Sequence, residues 1–145
     1  MNRLEGSKTA AKVSDITAAQ THEHTIDTLG FSYASIDVAF EPVAAAGTNS
    51  AVATVLTLLQ GDTTSSYAAV TGFVSGTNYT IPTPSNTTDS AVVRLNVDLK
   101  GKKRYLKVSS TPTTAGAIGT VARLGIADAV PVAASAAGVN TFVSG

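Results

Sequence analysis

The chain has 145 residues, ten of them Lys or Arg and ten Asp or Glu, so its formal net charge is zero and no global field draws it to nucleic acid or an anionic membrane. Cysteine is absent, which excludes a disulfide framework and a thiolate metal site. No window approaches the run of about 18 apolar residues needed to span a bilayer as a helix.

The length fits one domain with a substantial core. Charged residues make up 14%, against roughly 25% in an average soluble domain, and the apolar residues are mostly small. A monomer keeps itself soluble with a well-charged surface. Sparse charge therefore points to a surface covered by neighbours in an assembly. The start, Met1 to Gly6, lacks the apolar centre of a signal peptide, so the expectation is a soluble protein made in a cytosol.

Residues 1–21 carry no usable apolar period. Thr9 to Ala19 allows at most a thin helix, and the segment reads as an arm, disordered alone and ordered against a partner. Thr25 to Leu29 is a first strand, broken by Gly30. Tyr33 to Glu41 is a clear one: Ala34, Ile36, Val38 and Phe40 alternate with Ser35, Asp37, Ala39 and Glu41, and Pro42 ends it. Val43 to Ser50 is a loop. Val52 to Gln60 is apolar on both parities, which suits a strand covered on both sides or a buried helix. Its β-branched valines and threonines and the bounding Gly47 and Gly61 favour strand.

Turn-formers dominate from Gly61 to Ser90, leaving room for short strands near Tyr67 to Phe73 and Tyr79 to Ile81. The most legible stretch follows. Val93, Leu95, Val97 and Leu99 share one parity, Arg94, Asn96, Asp98 and Lys100 the other. After Gly101 a second alternating run, Lys103 to Val108, suggests that the two pair as a β-hairpin. Thr111 to Gly116 is a loop, and Ile118 to Ala129 a last strand with Ala122, Leu124 and Ile126 on one side and Arg123 on the other. The tail, Val132 to Gly145, has no charged side chain and suits packing along a neighbouring subunit.

Strands spaced by turns, without a long amphipathic helix, define an all-β chain: a single antiparallel β-sandwich or barrel-like domain over 22–131, with an N-terminal arm (1–21) and a C-terminal tail (132–145). Candidate chemistry is thin. His22 and His24, with Glu23 and Asp27 nearby, are two apart and on a strand would share a face, so both imidazoles could meet one ion. The competing reading, two exposed polar side chains at the end of an arm, is the favoured one. Lys100, Lys102, Lys103, Arg104 and Lys107 form a basic cluster. Only Tyr105 is near enough to stack a base, so the cluster reads first as a solvated hairpin tip, then as a contact for an acidic protein surface, and last as a nucleic-acid surface. No nucleophile elbow and no phosphate-cradling loop occurs, and a triad would have to recruit one of two arm histidines. No catalytic, cofactor or metal residue is assigned, and no enzymatic activity is expected. The sequons Asn78-Tyr79-Thr80 and Asn86-Thr87-Thr88 read as chance matches.

The order of a strand ending Asn96-Val97-Asp98-Leu99, a Gly/Lys turn, the run Lys103-Arg104-Tyr105-Leu106-Lys107-Val108, a Thr/Gly loop and a last strand of small residues resembles the capsid decoration, or cement, proteins of tailed bacteriophages. Gly30-Phe31-Ser32-Tyr33 and Ala69-Val70-Thr71-Gly72-Phe73 fit the same picture. The resemblance covers about residues 25 to 130. It implies a non-enzymatic β-rich protein on the capsid exterior, often trimeric, with the major capsid protein and its own copies as partners. Another virion component, such as a tail or head-completion protein, is the second reading. A carbohydrate-binding or adhesive β-sandwich is the third, and it needs Tyr67, Phe73 and Tyr79 exposed together.

Overall fold

A computed structural model describes residues 7–16, 20–41, 53–81, 90–112, 116–126 and 141–145. They form nine strands: β1 (Lys8–Ile16), β2 (His22–Asp27), β3 (Tyr33–Phe40), β4 (Ala53–Gly61), β5 (Ala68–Val74), β6 (Ala91–Asp98), β7 (Tyr105–Pro112), β8 (Gly116–Gly125) and β9 (Thr141–Ser144). One sheet runs β1-β8-β3-β6-β9 and the other β2-β7-β4-β5. The two pack as a β-sandwich, as the alternation predicts. All pairings are antiparallel except that of β9, which lies parallel to β6.

The period-two residues make the core. Ala34, Ile36, Val38 and Phe40 of β3 face Leu56, Leu58, Leu106 and Val108 of the second sheet, with Val93, Leu95 and Val97 of β6 beside them, all buried. β4 is a strand whose second face is partly covered: Val55 is 46% exposed, while Thr57 on the same parity is buried and Leu59 half-buried. Ile126 lies beyond the end of β8 and is exposed, so the inward parity stops at Leu124. Tyr79 joins Ser75 in an isolated bridge where a second short strand was expected. The expected loop at Val43 to Ser50 lies outside the described residues.

The largest departure concerns the expected hairpin. β6 and β7 do not pair: β6 sits in the five-stranded sheet and β7 in the four-stranded one. The link 99–104 is an arch from one sheet to the other. Alternation alone cannot distinguish the two arrangements, because both turn Leu95, Val97, Leu106 and Val108 inward. The link itself decides: Leu99 is buried at the mouth of the sandwich, where a hairpin tip would expose it. Asp98 Oδ1 accepts from the Lys100 amide at 2.9 Å, the Lys102 amide donates to the Leu99 carbonyl at 3.0 Å, and Gly101 takes φ of 75°, a left-handed turn that favours glycine. A second arch, from β2 to β3, stacks on this one. The Thr28 amide donates to the Arg104 carbonyl and the Leu99 amide to the Ser32 carbonyl, each at 3.0 Å.

Both terminal segments also depart from expectation. Residues 8–16, expected in an arm, form β1 against β8, from Lys8↔Leu124 to Ile16↔Gly116. No helix forms there. A ladder asks little of side chains, so the missing apolar period does not forbid it. Residues 141–144 of the expected tail form β9, and Val143 enters the core. β1 is loosely held by comparison. Its outward residues are exposed, Val13 to 75%, and of its inward ones only Ala10 packs on the core. A backbone hydrogen bond contributes about 0.5–1.5 kcal/mol net, which roughly cancels the 1–2 kcal/mol of ordering each residue.

Among the described strands, only β4 and β5 are consecutive and paired in one sheet, through residues 62–67. A Cβ added at Gly61 would run into the carbonyl oxygen of Ser66 and crowd that of Thr63. Both are backbone and cannot swing away. Gly61→Ala is expected to destabilise the protein by about 1–3 kcal/mol, read by urea unfolding. An unchanged midpoint would mean that the 62–67 link does not fold back on Gly61.

Candidate functional site

His22 and His24 lie on the inward face of β2 at 1% and 7% exposure. The expectation of two exposed side chains at the end of an arm is therefore overturned. β2 begins at His22, three residues before the expected start, and β1 closes over it. Both imidazoles meet one hydroxyl. His24 Nδ1 lies 2.7 Å and His22 Nε2 3.3 Å from Thr120 Oγ1 on β8. That hydroxyl has one proton, which goes to the carbonyl oxygen of Lys12 on β1 at 3.4 Å. With both ring N–H groups donating to Thr120, all three contacts are satisfied. His22 Nδ1 and Ser110 Oγ are buried without a hydrogen-bond partner, and Ser110 is the register partner of His22 on β7.

Burial, then the Lys12 ammonium, pushes both imidazoles below their ordinary pKa, and His24 depresses His22 further. The same environment argues against a cation. The pair shares its pocket with Lys12, Thr120 and Ser110, while Glu23, next in sequence, points outward to Lys107. Among the described residues, no group of three or more His, Cys, Asp or Glu could hold a metal ion. The arrangement is a polar seam that ties β1, β2 and β8 together.

The basic cluster is largely engaged with acids from other elements. Arg104 grips Asp27 with two hydrogen bonds, 3.0 and 2.8 Å, across the stacked arches. That guanidinium, with the Leu29 amide, holds the Asp27 carboxyl down to about 2. Lys103 pairs with Asp62 at 2.5 Å, and Lys107 meets Glu23 at 3.2 Å while lying over the Tyr67 ring. Arg104 also stacks on Tyr105, the aromatic a base would need. Three of the five cations thus close the end and side of the sandwich.

The aromatics do not form an exposed platform. Phe73 is buried in the core, and the Tyr79 hydroxyl donates to the Leu56 carbonyl at 2.7 Å, with its pKa raised by burial. Asn78 caps a turn, its Oδ1 accepting from the Val74 amide, and Asn86 lies outside the described residues. On the outer face of the five-stranded sheet, Asp37 accepts from Arg94 at 2.5 and 2.8 Å and from Arg123 at 2.7 Å. Sequence parity placed Asp37, Arg94 and Arg123 on outward faces but could not show that three strands bring them together. Asn96, expected on the outward face by parity, is 1% exposed, with Ser35 of β3 and Ser144 of β9 as its register partners on either side.

These residues define an all-β sandwich whose polar groups are mostly spent on holding strands together. No protein-family description matches the chain, and no curated protein matches it. A solved structure described as "Bacillus endospore appendages form a novel family of disulfide-linked pili" is similar at a TM-score of 0.37 and 14% identity, covering 88% of this chain and 95% of that one. A fit this loose establishes no common fold, and the present chain contains no cysteine.

Proposed function

We propose that the chain is a non-enzymatic structural protein of a tailed-phage virion, a decoration protein that binds the outer surface of the major capsid protein and stabilises the shell as a homo-oligomer, with a trimer as the expected state. Its place would be the capsid exterior, after synthesis in the host cytoplasm. The supporting observation is the position of the terminal strands. β1 and β9 are the two outermost strands of one sheet, so both are placed to contact neighbours. The sparse charge and the resemblance in the 91–108 region support the same reading.

The test is addition of the purified protein to phage-type capsids that lack decoration. Saturable co-sedimentation and a raised shell melting temperature are expected, with light scattering on the free protein giving the oligomer. Capsids that bind nothing at micromolar protein would remove the decoration reading in favour of another virion role. Deleting residues 132–145 is not a clean probe of attachment, since it also removes β9 and Val143 from the core.

A further inference from the structure

We infer that β1 is an exchangeable strand: residues 8–16 of one copy pair with the β8 edge of a second copy of this chain. The inference concerns the protein's self-association and does not require a shell as partner.

The first ground is how little β1 is anchored. Thr9, Ala11, Val13 and Asp15 point outward and are exposed, and of Lys8, Ala10, Lys12 and Ser14 on the inward side only Ala10 packs on the core. Removing β1 leaves the packing between the sheets otherwise whole. The second ground is that what it leaves is unfavourable. β8 would present an unpaired edge beside Val121, already 37% exposed, and the buried His22–His24–Thr120 seam would lose its cover. Such an edge is a template for another strand.

The third ground identifies the occupant. The edge is matched to the segment 8–16 by more than its ladder. Lys8 Nζ donates to the Asp27 carbonyl at 3.2 Å and Lys12 Nζ to the Glu23 carbonyl at 2.6 Å, so two ammonium groups cap the outer edge of β2 in register. Thr120 Oγ1 donates to the Lys12 carbonyl. Every one of these bonds re-forms if β1 comes from another copy, so exchange costs no contact. Five residues, Thr17 to Thr21, separate β1 from β2, and the two strands run in opposite directions. So few residues between antiparallel neighbours favour an extended, exchanged arrangement.

The absence of cysteine makes a direct test available. Ala11 and Val121 are register partners on the outer face, both exposed, so the double variant Ala11→Cys/Val121→Cys leaves the core and the seam untouched. The free full-length variant is oxidised over a range of concentrations, and the products are separated on non-reducing gels. Covalent dimers and larger species that increase with concentration are expected. Mixing the two single-cysteine variants, one carrying a mass tag, should give a heterodimer joined through residues 11 and 121. Exclusively intrachain crosslinks at every concentration would overturn the exchange, and so would failure of the pair to crosslink, since β1 would then not lie on β8. Neither outcome bears on capsid binding, which is measured separately.

Discussion

Leu95→Ala is expected to cost about 2–5 kcal/mol of stability, among the largest effects of any substitution outside the glycines and aromatics. Leu95 is fully buried in β6, between Ile36 on β3 and Val143 on β9, and the opposite sheet closes over it. Truncation opens a cavity among the buried side chains of both sheets, and strands held by their ladders can close it only in part. Chemical unfolding of wild type and variant measures the difference. Val13→Ala on exposed β1 serves as the contrast, with a change within about half a kcal/mol. A Leu95→Ala loss that small would place Leu95 outside the core.

The second large effect is acid lability from the histidine seam. Folded His22 and His24 titrate below their ordinary pKa, so between about pH 6.5 and their depressed values the unfolded chain binds protons that the folded chain refuses. Stability is therefore complete above about pH 7 and declines as pH falls. The limiting slope is about 1.4 kcal/mol per pH unit for each histidine. From β1 the pair faces Lys12, from β8 Thr120 and from β7 Ser110, so no carboxylate compensates the new charge. Asp27 acts in a different window: its pKa is lowered to about 2, so its contribution is lost only as pH falls below the ordinary carboxylate range. Unfolding curves from pH 8 to 5 test the seam. His22→Gln/His24→Gln should flatten the slope over that range, and an unchanged slope would assign the acid sensitivity elsewhere.

The strands of the core were legible because burial on one face writes a period of two into the sequence. β3 follows it residue by residue from Ala34 to Phe40, and β6 follows it from Ala91 to Leu95 before Asn96 breaks the alternation. Pairing was not legible, because parity says which face is inward and nothing about which sheet a strand joins. That is why the 91–108 region read as a hairpin while Leu99 turns it into an arch. β1 escaped notice for the opposite reason, since a strand that buries almost nothing leaves no periodic trace. The histidines share the inward parity of Ile26, a signal present in the sequence. What hid them was the reading of residues 1–21 as an arm, which removed the strand that covers them. The partners of the basic cluster, Asp27, Asp62 and Glu23, lie 41 to 84 residues away in the chain and could be found only from the fold.

The arch at 99–104 carries a kinetic consequence. By sending β7 to the far sheet it removes the one local pairing open to β6 and β7, and among the described strands every ladder except β4–β5 joins segments distant in sequence. β3 waits for β6 and β8, and β2 waits for β7. Loop closure must be paid before such contacts reward it, and chains of this topology fold over milliseconds to seconds or more slowly. During that interval nascent strands stand with open edges, β8 among them. At high concentration the first segment 8–16 to reach a β8 edge need not belong to the same chain, so the speed of folding and the route to assembly are set by one competition.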